Sequence, residues 1–202
     1  HCVCASAKRE RKKRKEGRKE GFAVAESRKR RKMEVISHAM ADFESVCEFA
    51  LQTFCDNTGW ETGELWLMRE STKRLECIPR RHIPRGQAGR TREEKELAEI
   101  TESLVLKKGS DIAGEVCEAS MWKWMSDITD MSGPRTSALL NAGYNTAAAV
   151  PIFIANTEHA ERLPPSSGAL VFLSKEKKEE ELQVIQFATA VSHKISNYLF
   201  MQ

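Results

Sequence analysis

The side chains best suited to contact a ligand are concentrated in one short stretch of the sequence. Met121–Met125 contains two of the four tryptophans and two of the seven methionines. Large, polarisable side chains of this kind can wall an apolar pocket, and they can equally form part of the core. Arg135 follows beyond a loop with a proline, where it can face an anionic ligand or solvent. Composition leaves both alternatives open.

Signatures of catalysis are missing from the sequence. It has no P-loop, no Gly-x-Ser-x-Gly, no His-Glu-x-x-His and no dinucleotide-binding glycine fingerprint. Gly109 and Gly114 lie five residues apart, but no Lys-Ser/Thr pair follows them, so a plain turn is favoured over a phosphate loop. Four scattered histidines are predicted to be structural or solvated: His38, His82, His159 and His193.

The cysteines predict a reduced, intracellular protein. They occur at positions 2, 4, 47, 55, 77 and 117, and none forms a Cys-x-x-Cys pair. Cys47 and Cys55 lie on one face of a predicted helix, about 12 Å apart along its axis, which is too far for a disulfide. Cys2 and Cys4 have no neighbouring histidine or second cysteine pair to complete a zinc site. The expected location is therefore the cytoplasm or the nucleus.

The net charge of +3 combines two segments of opposite sign. Residues 1–32 hold 14 Lys/Arg and four Asp/Glu, whereas the other 170 residues hold 18 and 25. We predict that residues 1–32 are a disordered basic leader and that residues 33–202 form one domain. The leader is interpreted as a nuclear-import or polyanion-binding tail, a solvated arm, or upstream sequence before a true start at Met33. Contact with nucleic acid is expected only through this leader.

Hydrophobic periodicity predicts a long amphipathic helix at each end of the domain, over residues 35–57 and 176–199. Predicted strands cover residues 64–68, 74–78, 146–155 and 168–174. Predicted short helices cover 93–104 and 137–142, and residues 115–128 are predicted as a helix that runs into a strand. The longest apolar stretch, residues 146–155, is far below the ~20 residues that cross a bilayer, so no membrane contact is expected. This order predicts an α+β domain.

The order and spacing of these elements resemble the GAF domain, a small-molecule-binding sensor module. The resemblance covers about residues 35–200 and rests on Gly59-Trp60, Glu64–Leu67, Leu75–Cys77, Lys108–Val116, Trp124, Asp127-Ile128, Arg135, Ala138, Gly143, Thr146-Ala147, Ala149–Ile152 and Gly168–Phe172. It implies a central antiparallel β-sheet with the N- and C-terminal helices on one face and a pocket-forming helical and loop segment on the other. Such domains are regulatory inputs, usually parts of kinases, phosphodiesterases, transcription regulators or photoreceptors.

Departures from the family's ligand-specific patterns leave the cofactor unknown. The dispersed Asn-Lys-x-Phe-Asp-Glu signature of cyclic-nucleotide-binding members cannot be placed, and no Cys-His pair suits a bilin. Free methionine-R-sulfoxide reductases share the fold. Their two cysteines would fall at Ala113 and near Arg135, neither of which is a thiol. We therefore expect a domain that is not an enzyme and binds no metal.

The resemblance implies a ligand pocket between the sheet and the middle segment. Its predicted lining is Trp66, Trp124, Asp127, Arg135 and Thr146. The tryptophans would provide apolar contact, and the other three side chains would orient the ligand. Because an unpaired buried charge is costly, Asp127 and Arg135 either pair with each other or Arg135 awaits an anionic ligand.

The predicted function is a non-catalytic regulatory domain that binds an unidentified small molecule. Since the sequence starts at His1, we interpret it as a fragment of a larger signalling or transcription-regulatory protein. A homodimer through the two long helices is expected, because Val184, Phe187 and Tyr198 form a second apolar face. One alternative is a nuclear or nucleic-acid-associated dimerising scaffold that uses the basic leader. Another is a divergent free methionine-R-sulfoxide reductase that depends on Cys117.

Overall fold

A computed structural model describes residues 42–78, 91–153 and 166–200 of the chain. Its contacts separate two units, His1–Asp42 and Phe43–Gln202, and the fold reported below is that of the second unit. The predicted basic leader, the predicted domain start at residue 33 and the beginning of the first predicted helix lie outside the described residues. Within those described ranges, none of the helices combines the length and the apolar character that crossing a membrane requires.

In the described part of the chain, six strands form one antiparallel sheet. They are β1 (Thr62–Arg69), β2 (Arg74–Cys77), β3 (Val105–Leu106), β4 (Lys123–Met125), β5 (Thr146–Ile152) and β6 (Gly168–Ser174). Their order across the sheet is β3-β2-β1-β6-β5-β4, so the three longest strands lie side by side in the centre. The predicted antiparallel sheet is confirmed. Strand β3 was not predicted, because two residues are too few to show a period.

Helices of the described residues flank this sheet. They are α1 (residues 42–58), α2 (Arg92–Ser103), α3 (Asp111–Ala119), α4 (Thr136–Asn141) and α5 (Leu182–Phe200), with a 3₁₀ turn at Ile128–Asp130. Gly59 ends α1 as predicted: it adopts a positive φ of 67°, and its N–H donates to the Cys55 carbonyl at 2.9 Å. Thr91 and Glu94 form a reciprocal capping box at the start of α2.

Alternation along the strands divides the core into two layers. In β1, Leu65 and Leu67 face the layer that contains Phe54 of α1 and Ile195 of α5. Trp66 faces the opposite layer. That second layer is closed by residues of the middle segment: Leu97, Ile112, Val116, Ile128 and Leu139. The predicted α+β class, with the two end helices on one face of the sheet, is confirmed.

Two predicted helices have different bounds in the structure. The helix predicted from residue 115 to 124 is wrong, because α3 begins at Asp111 and ends before Ser120, which adopts a left-handed φ of 54°. The second long helix starts at Leu182 rather than residue 176. Residues 175–181, here called the connector, are instead held in non-helical conformation by side chains of other elements, as described below.

Candidate functional site

Strand β1 contributes two side chains to the layer beneath the middle segment. Glu64 and Trp66 are two residues apart, so both point to the face opposite α1 and α5. Both side chains are fully buried. The Trp66 indole N–H donates to Glu64 Oε2 at 3.0 Å. A carboxylate is thereby fixed inside the domain.

Arg135 lies against these two residues and joins them to helices α2 and α3. Its side chain has no solvent exposure. Nη1 donates to Glu64 Oε2 at 2.6 Å, while Nε and Nη2 donate to Asp111 Oδ2 and Oδ1 at 3.0 and 3.3 Å. Nη1 also lies 3.5 Å from Thr101 Oγ1, and the guanidinium carbon is 5.0 Å from the Trp66 ring centroid. We call Glu64, Trp66, Thr101, Asp111 and Arg135 the arginine cluster.

The electrostatics of the cluster keep Arg135 charged. Burial acts to lower the pKa of Arg135, but Coulombic attraction and hydrogen bonds from Glu64 and Asp111 outweigh it and raise the pKa above its ordinary value. The guanidinium forms a two-point contact with the Asp111 carboxylate and a cation–π contact with the Trp66 face. A lysine could not reproduce this planar arrangement.

The backbone of Asp111 adopts a left-handed conformation where it enters the cluster. Its φ is 61°, which is uncommon for a residue with a side chain, and aspartate is among the few that adopt it more often. The turn that contains Asp111 is closed by the Gly109 N–H, which donates to the Gly114 carbonyl at 2.8 Å. Gly133 packs against the same aspartate: a Cβ at this position would lie 2.9 Å from Asp111 Oδ2. The turn and the loop before Arg135 therefore fix the carboxylate from two sides.

Only two of the five predicted site residues, Trp66 and Arg135, lie in the arginine cluster. The predicted alternative in which Asp127 pairs with Arg135 is wrong, because the carboxylate partners of Arg135 are Glu64 and Asp111. Asp127 instead accepts from the backbone and hydroxyl of Thr129 and pairs with Lys177 at 2.8 Å. These bonds, that from Lys177 foremost, hold the pKa of Asp127 below its ordinary value.

The other two predicted residues, Trp124 and Thr146, hold the connector. Thr146 Oγ1 donates to the Glu176 carbonyl and accepts from the Lys178 N–H, both at 3.0 Å. The Trp124 indole N–H donates to the Lys178 carbonyl at 3.2 Å. The Trp124 ring packs edge-on against Trp60 and belongs to the core layer of α1 and α5. Trp124, Asp127 and Thr146 therefore converge on the segment that leads into α5.

Further contacts fix the connector at its first residue. The Lys175 N–H donates to Glu61 Oε2 at 3.2 Å, and its carbonyl accepts from Asn145 at 2.6 Å. The Lys175 ammonium pairs with Glu94 of α2 at 2.6 Å and lies over the Tyr144 ring. Because Thr101 of the arginine cluster lies on the same helix as Glu94, α2 contacts both the cluster and the connector.

Sequence reasoning missed Glu64, Thr101 and Asp111 as site residues. Glu64 lies in a predicted strand and Asp111 between the two glycines of a predicted turn, and neither residue was predicted to contact a ligand. The available signal was a charged residue inside a strand that is buried on both faces, since such a charge requires a partner. Nothing local identified Arg135 as that partner, 71 residues further along the chain.

Three of the described cysteines have a shifted pKa, and in all three the pKa is raised, so none of them is an activated thiol. Burial raises the pKa of Cys47 and Cys55 to about 12. Burial also raises the pKa of Cys117, against a smaller opposite effect from a hydrogen bond with Ser166. A thiol of raised pKa is protonated at neutral pH and is a poor nucleophile.

Comparison with known proteins gives a match at the level of the fold. No family model matches the sequence, and no curated protein matches it. The structure is similar to the GAF domain region of a putative membrane protein from Geobacter sulfurreducens PCA, with 14% identity and a TM-score of 0.61 over 83% of this chain and 99% of that chain.

Two further GAF domains are similar to this chain. The GAF domain of a phosphoenolpyruvate-protein phosphotransferase from Coxiella burnetii has 12% identity and a TM-score of 0.58, over 83% of this chain and 91% of that one. The blue-light-absorbing form of the Thermosynechococcus elongatus PixJ GAF domain has 11% identity and a TM-score of 0.52, over 81% and 90%. This chain has the GAF fold, and the predicted resemblance is confirmed at that level.

Proposed function

We propose that this chain is a non-catalytic sensory domain that binds a small molecule on the side of the sheet that carries the arginine cluster. Binding there would shift the middle segment, and the connector would pass the shift to α5. The GAF fold supports this proposal, since the similar structures include domains of a phosphotransferase and of a cyanobacteriochrome receptor.

The observation that carries the proposal is the arginine cluster. Well-packed apolar residues often stabilise a core as much as a buried ion pair of similar volume, or more. Here the domain keeps one guanidinium and two carboxylates within a single buried group, and one of these carboxylates belongs to an aspartate with a left-handed backbone. Strained backbone and buried charge concentrate at functional sites. The cluster also joins β1, α2, α3 and the loop before α4, so a ligand that disturbed it would affect all four.

A non-catalytic role is favoured over a thiol reductase. The raised pKa of Cys117 argues against its use as a nucleophile at neutral pH. The resemblance would put the reductase cysteines at Ala113 and near Arg135; neither residue is a thiol, and the Arg135 side chain lies in the buried cluster. The described cysteines are free thiols, which supports the proposed intracellular location in cytoplasm or nucleus.

We also propose dimerisation through the long helices, but through a surface that differs from the predicted one. Phe187 and Tyr198 stack on Phe54 and Phe43 of α1, with centroids 5.5 and 6.0 Å apart, so these rings already have partners within the chain. Phe49, on α1, is 71% exposed and is the better candidate for contact with a second copy. The scaffold alternative, with nucleic-acid contact through residues 1–32, depends on residues outside the described ranges.

A thermal-shift screen of the whole chain tests ligand binding. Nucleotides, organic acids, amines and tetrapyrroles would be added at increasing concentration to the wild-type chain, Arg135→Lys and Arg69→Ala. A true ligand at 100 times its dissociation constant stabilises the folded state by about 2.7 kcal/mol. We expect Arg135→Lys to change the size of this response, because it alters the cation that lies at the site. Arg69→Ala should keep it, because that arginine is exposed at the end of β1.

The screen can also contradict the proposal. If no compound raises the melting temperature of the wild-type chain, the ligand-sensing proposal is contradicted and the alternative of a dimerising scaffold is favoured. If a compound stabilises all three chains equally, the ligand binds away from the arginine cluster, and the proposed site is wrong.

A further inference from the structure

We propose that the ligand of this site is a planar cation rich in N–H donors, of the guanidinium or amidinium class, and that Arg135 is its internal occupant. This inference rests on the proposed function, because it names the ligand class of the same site. The guanidinium of Arg135 marks the binding geometry, and an external cation would compete with it for the same acceptors.

The first argument is the chemistry of the walls. Each hydrogen bond of the Arg135 side chain ends on an oxygen acceptor: Glu64 Oε2, both oxygens of Asp111, and the hydroxyl of Thr101. The Trp66 ring covers one face of the group. Carboxylates in the plane and an aromatic ring above are the surroundings that a planar cation requires.

The second argument is that the same walls disfavour an anion. Two carboxylates lie within hydrogen-bond distance of Arg135, and its donors already point at them. An entering anion would meet both negative charges in a medium of low effective dielectric, where repulsion is poorly screened. The predicted alternative in which Arg135 awaits an anionic ligand is therefore less favourable than exchange of one cation for another.

The third argument concerns exchange. Arg135 lies in the loop immediately before the six-residue helix α4, next to exposed Ser132 and Pro134. Its displacement does not require a strand to leave the sheet. A cation that replaces it keeps the charge of the cluster constant and can satisfy the same oxygens. The loop and α4 would then move, and the acceptors on β1, α2 and α3 would remain in place.

Chemical rescue tests the inference on the whole chain. Arg135→Ala removes the internal guanidinium and keeps Glu64 and Asp111. Methylguanidinium chloride would be added at up to 20 mM, far below the molar concentrations at which guanidinium salts unfold proteins. We expect the melting temperature of Arg135→Ala to rise by about 3 °C or more, with saturation. Urea, which is planar but uncharged, and sodium chloride should have no such effect.

A matched variant separates rescue from general stabilisation. Leu139→Ala also removes a buried side chain from this core layer, but it leaves the arginine cluster intact. Its melting temperature should not respond to methylguanidinium. If Arg135→Ala does not fold unaided, its refolding yield is measured with methylguanidinium and with urea. We expect the yield to be at least about threefold higher with the cation.

The outcomes distinguish this inference from the proposed function. If neither the melting temperature nor the refolding yield of Arg135→Ala responds to methylguanidinium, or if urea acts equally, the cation site is wrong. If the wild-type chain is stabilised by an anionic compound at this site while Arg135→Ala stays unrescued, the proposed sensory function is supported and the proposed cationic ligand class is wrong. If rescue succeeds but methylguanidinium and benzamidinium leave the wild-type chain unchanged, Arg135 is a permanent occupant, and exchange is overturned.

Discussion

The arginine cluster and the connector are both held by polar side chains, but their construction differs. In the cluster, one fully buried cation bonds to two carboxylates and contacts each of the other members. In the connector, the contacts are mostly hydrogen bonds between side chains and backbone groups, spread over several elements. Most of these contacts are partly buried rather than sealed from water. The first region should therefore fail at a single substitution, while the second should loosen stepwise.

This difference fits the roles proposed for the two regions. A site that exchanges ligands requires a concentrated interaction that one molecule can disturb. A segment that passes movement to α5 benefits from distributed contacts, because no single bond then decides its position. Substitutions that remove one contact at a time can test whether this division is real.

The largest effect is expected for Arg135→Ala. Removal of one partner from a buried ion pair leaves an uncompensated buried charge and costs about 3–5 kcal/mol of unfolding free energy. Urea unfolding at pH 7, followed by tryptophan fluorescence, measures this loss. Arg69→Ala serves as the control, because it also removes an arginine from an ion pair but at an exposed position. Its urea midpoint should barely change. Equal, small losses in both variants would contradict a dependence of the cluster on Arg135.

A smaller loss is expected for Gly133→Ala. The added Cβ would lie 2.9 Å from Asp111 Oδ2 and 3.3 Å from its Cα, so the carboxylate must move. Such overpacking typically costs about 1–3 kcal/mol. The urea midpoint of Gly133→Ala should therefore fall, and that of the exposed neighbour Ser132→Ala should stay unchanged. If both variants have the urea midpoint of the wild-type chain, the loop can shift to accept the added Cβ. The loop before Arg135 then does not fix the Asp111 carboxylate.

The sequence predicts the elements that depend on neighbouring residues, but it does not predict contacts between residues that lie far apart in the chain. The strand Gly168–Ser174 was predicted with its observed bounds, because it is a continuous apolar run between turn residues. The start of α5 was missed, since side chains from β4 and β5 hold the connector away from helical geometry. The partners of Arg135 were missed because they lie 24 and 71 residues away in the chain. Local periodicity carries no information on such pairs.

In the connector, Thr146→Val should cost less than the loss of Arg135 and act locally. Valine has the same shape but lacks the hydroxyl, so the Glu176 carbonyl and Lys178 N–H, which are partly buried, lose their shared partner. The expected loss is about 0.5–1.5 kcal/mol. Hydrogen exchange should rise in residues 175–185 and stay unchanged in β1.

Thr189→Val in α5 is the control for this substitution. The hydroxyl of Thr189 bonds only to the Ile185 carbonyl one turn earlier in the same helix, so its loss should leave the connector protected. If Thr146→Val raises exchange in β1 as strongly as in the connector, the two regions are not separable, and the stepwise loosening proposed here is wrong.

The smallest effect is expected for Asp127 and should appear as a change in pH dependence. The hydrogen bond from Lys177, together with those from Thr129, lowers the pKa of Asp127 below its ordinary value of 3.8. A carboxyl whose pKa is lower in the folded state stabilises the fold above its unfolded pKa and loses that contribution as the pH falls through the folded value. Asp127→Asn should therefore flatten the fall of the urea midpoint below about pH 4. Asp130→Asn, an exposed substitution on the same 3₁₀ turn, is the control. Identical pH profiles for the wild-type chain and Asp127→Asn would show that the exposed pair with Lys177 does not help to hold the connector.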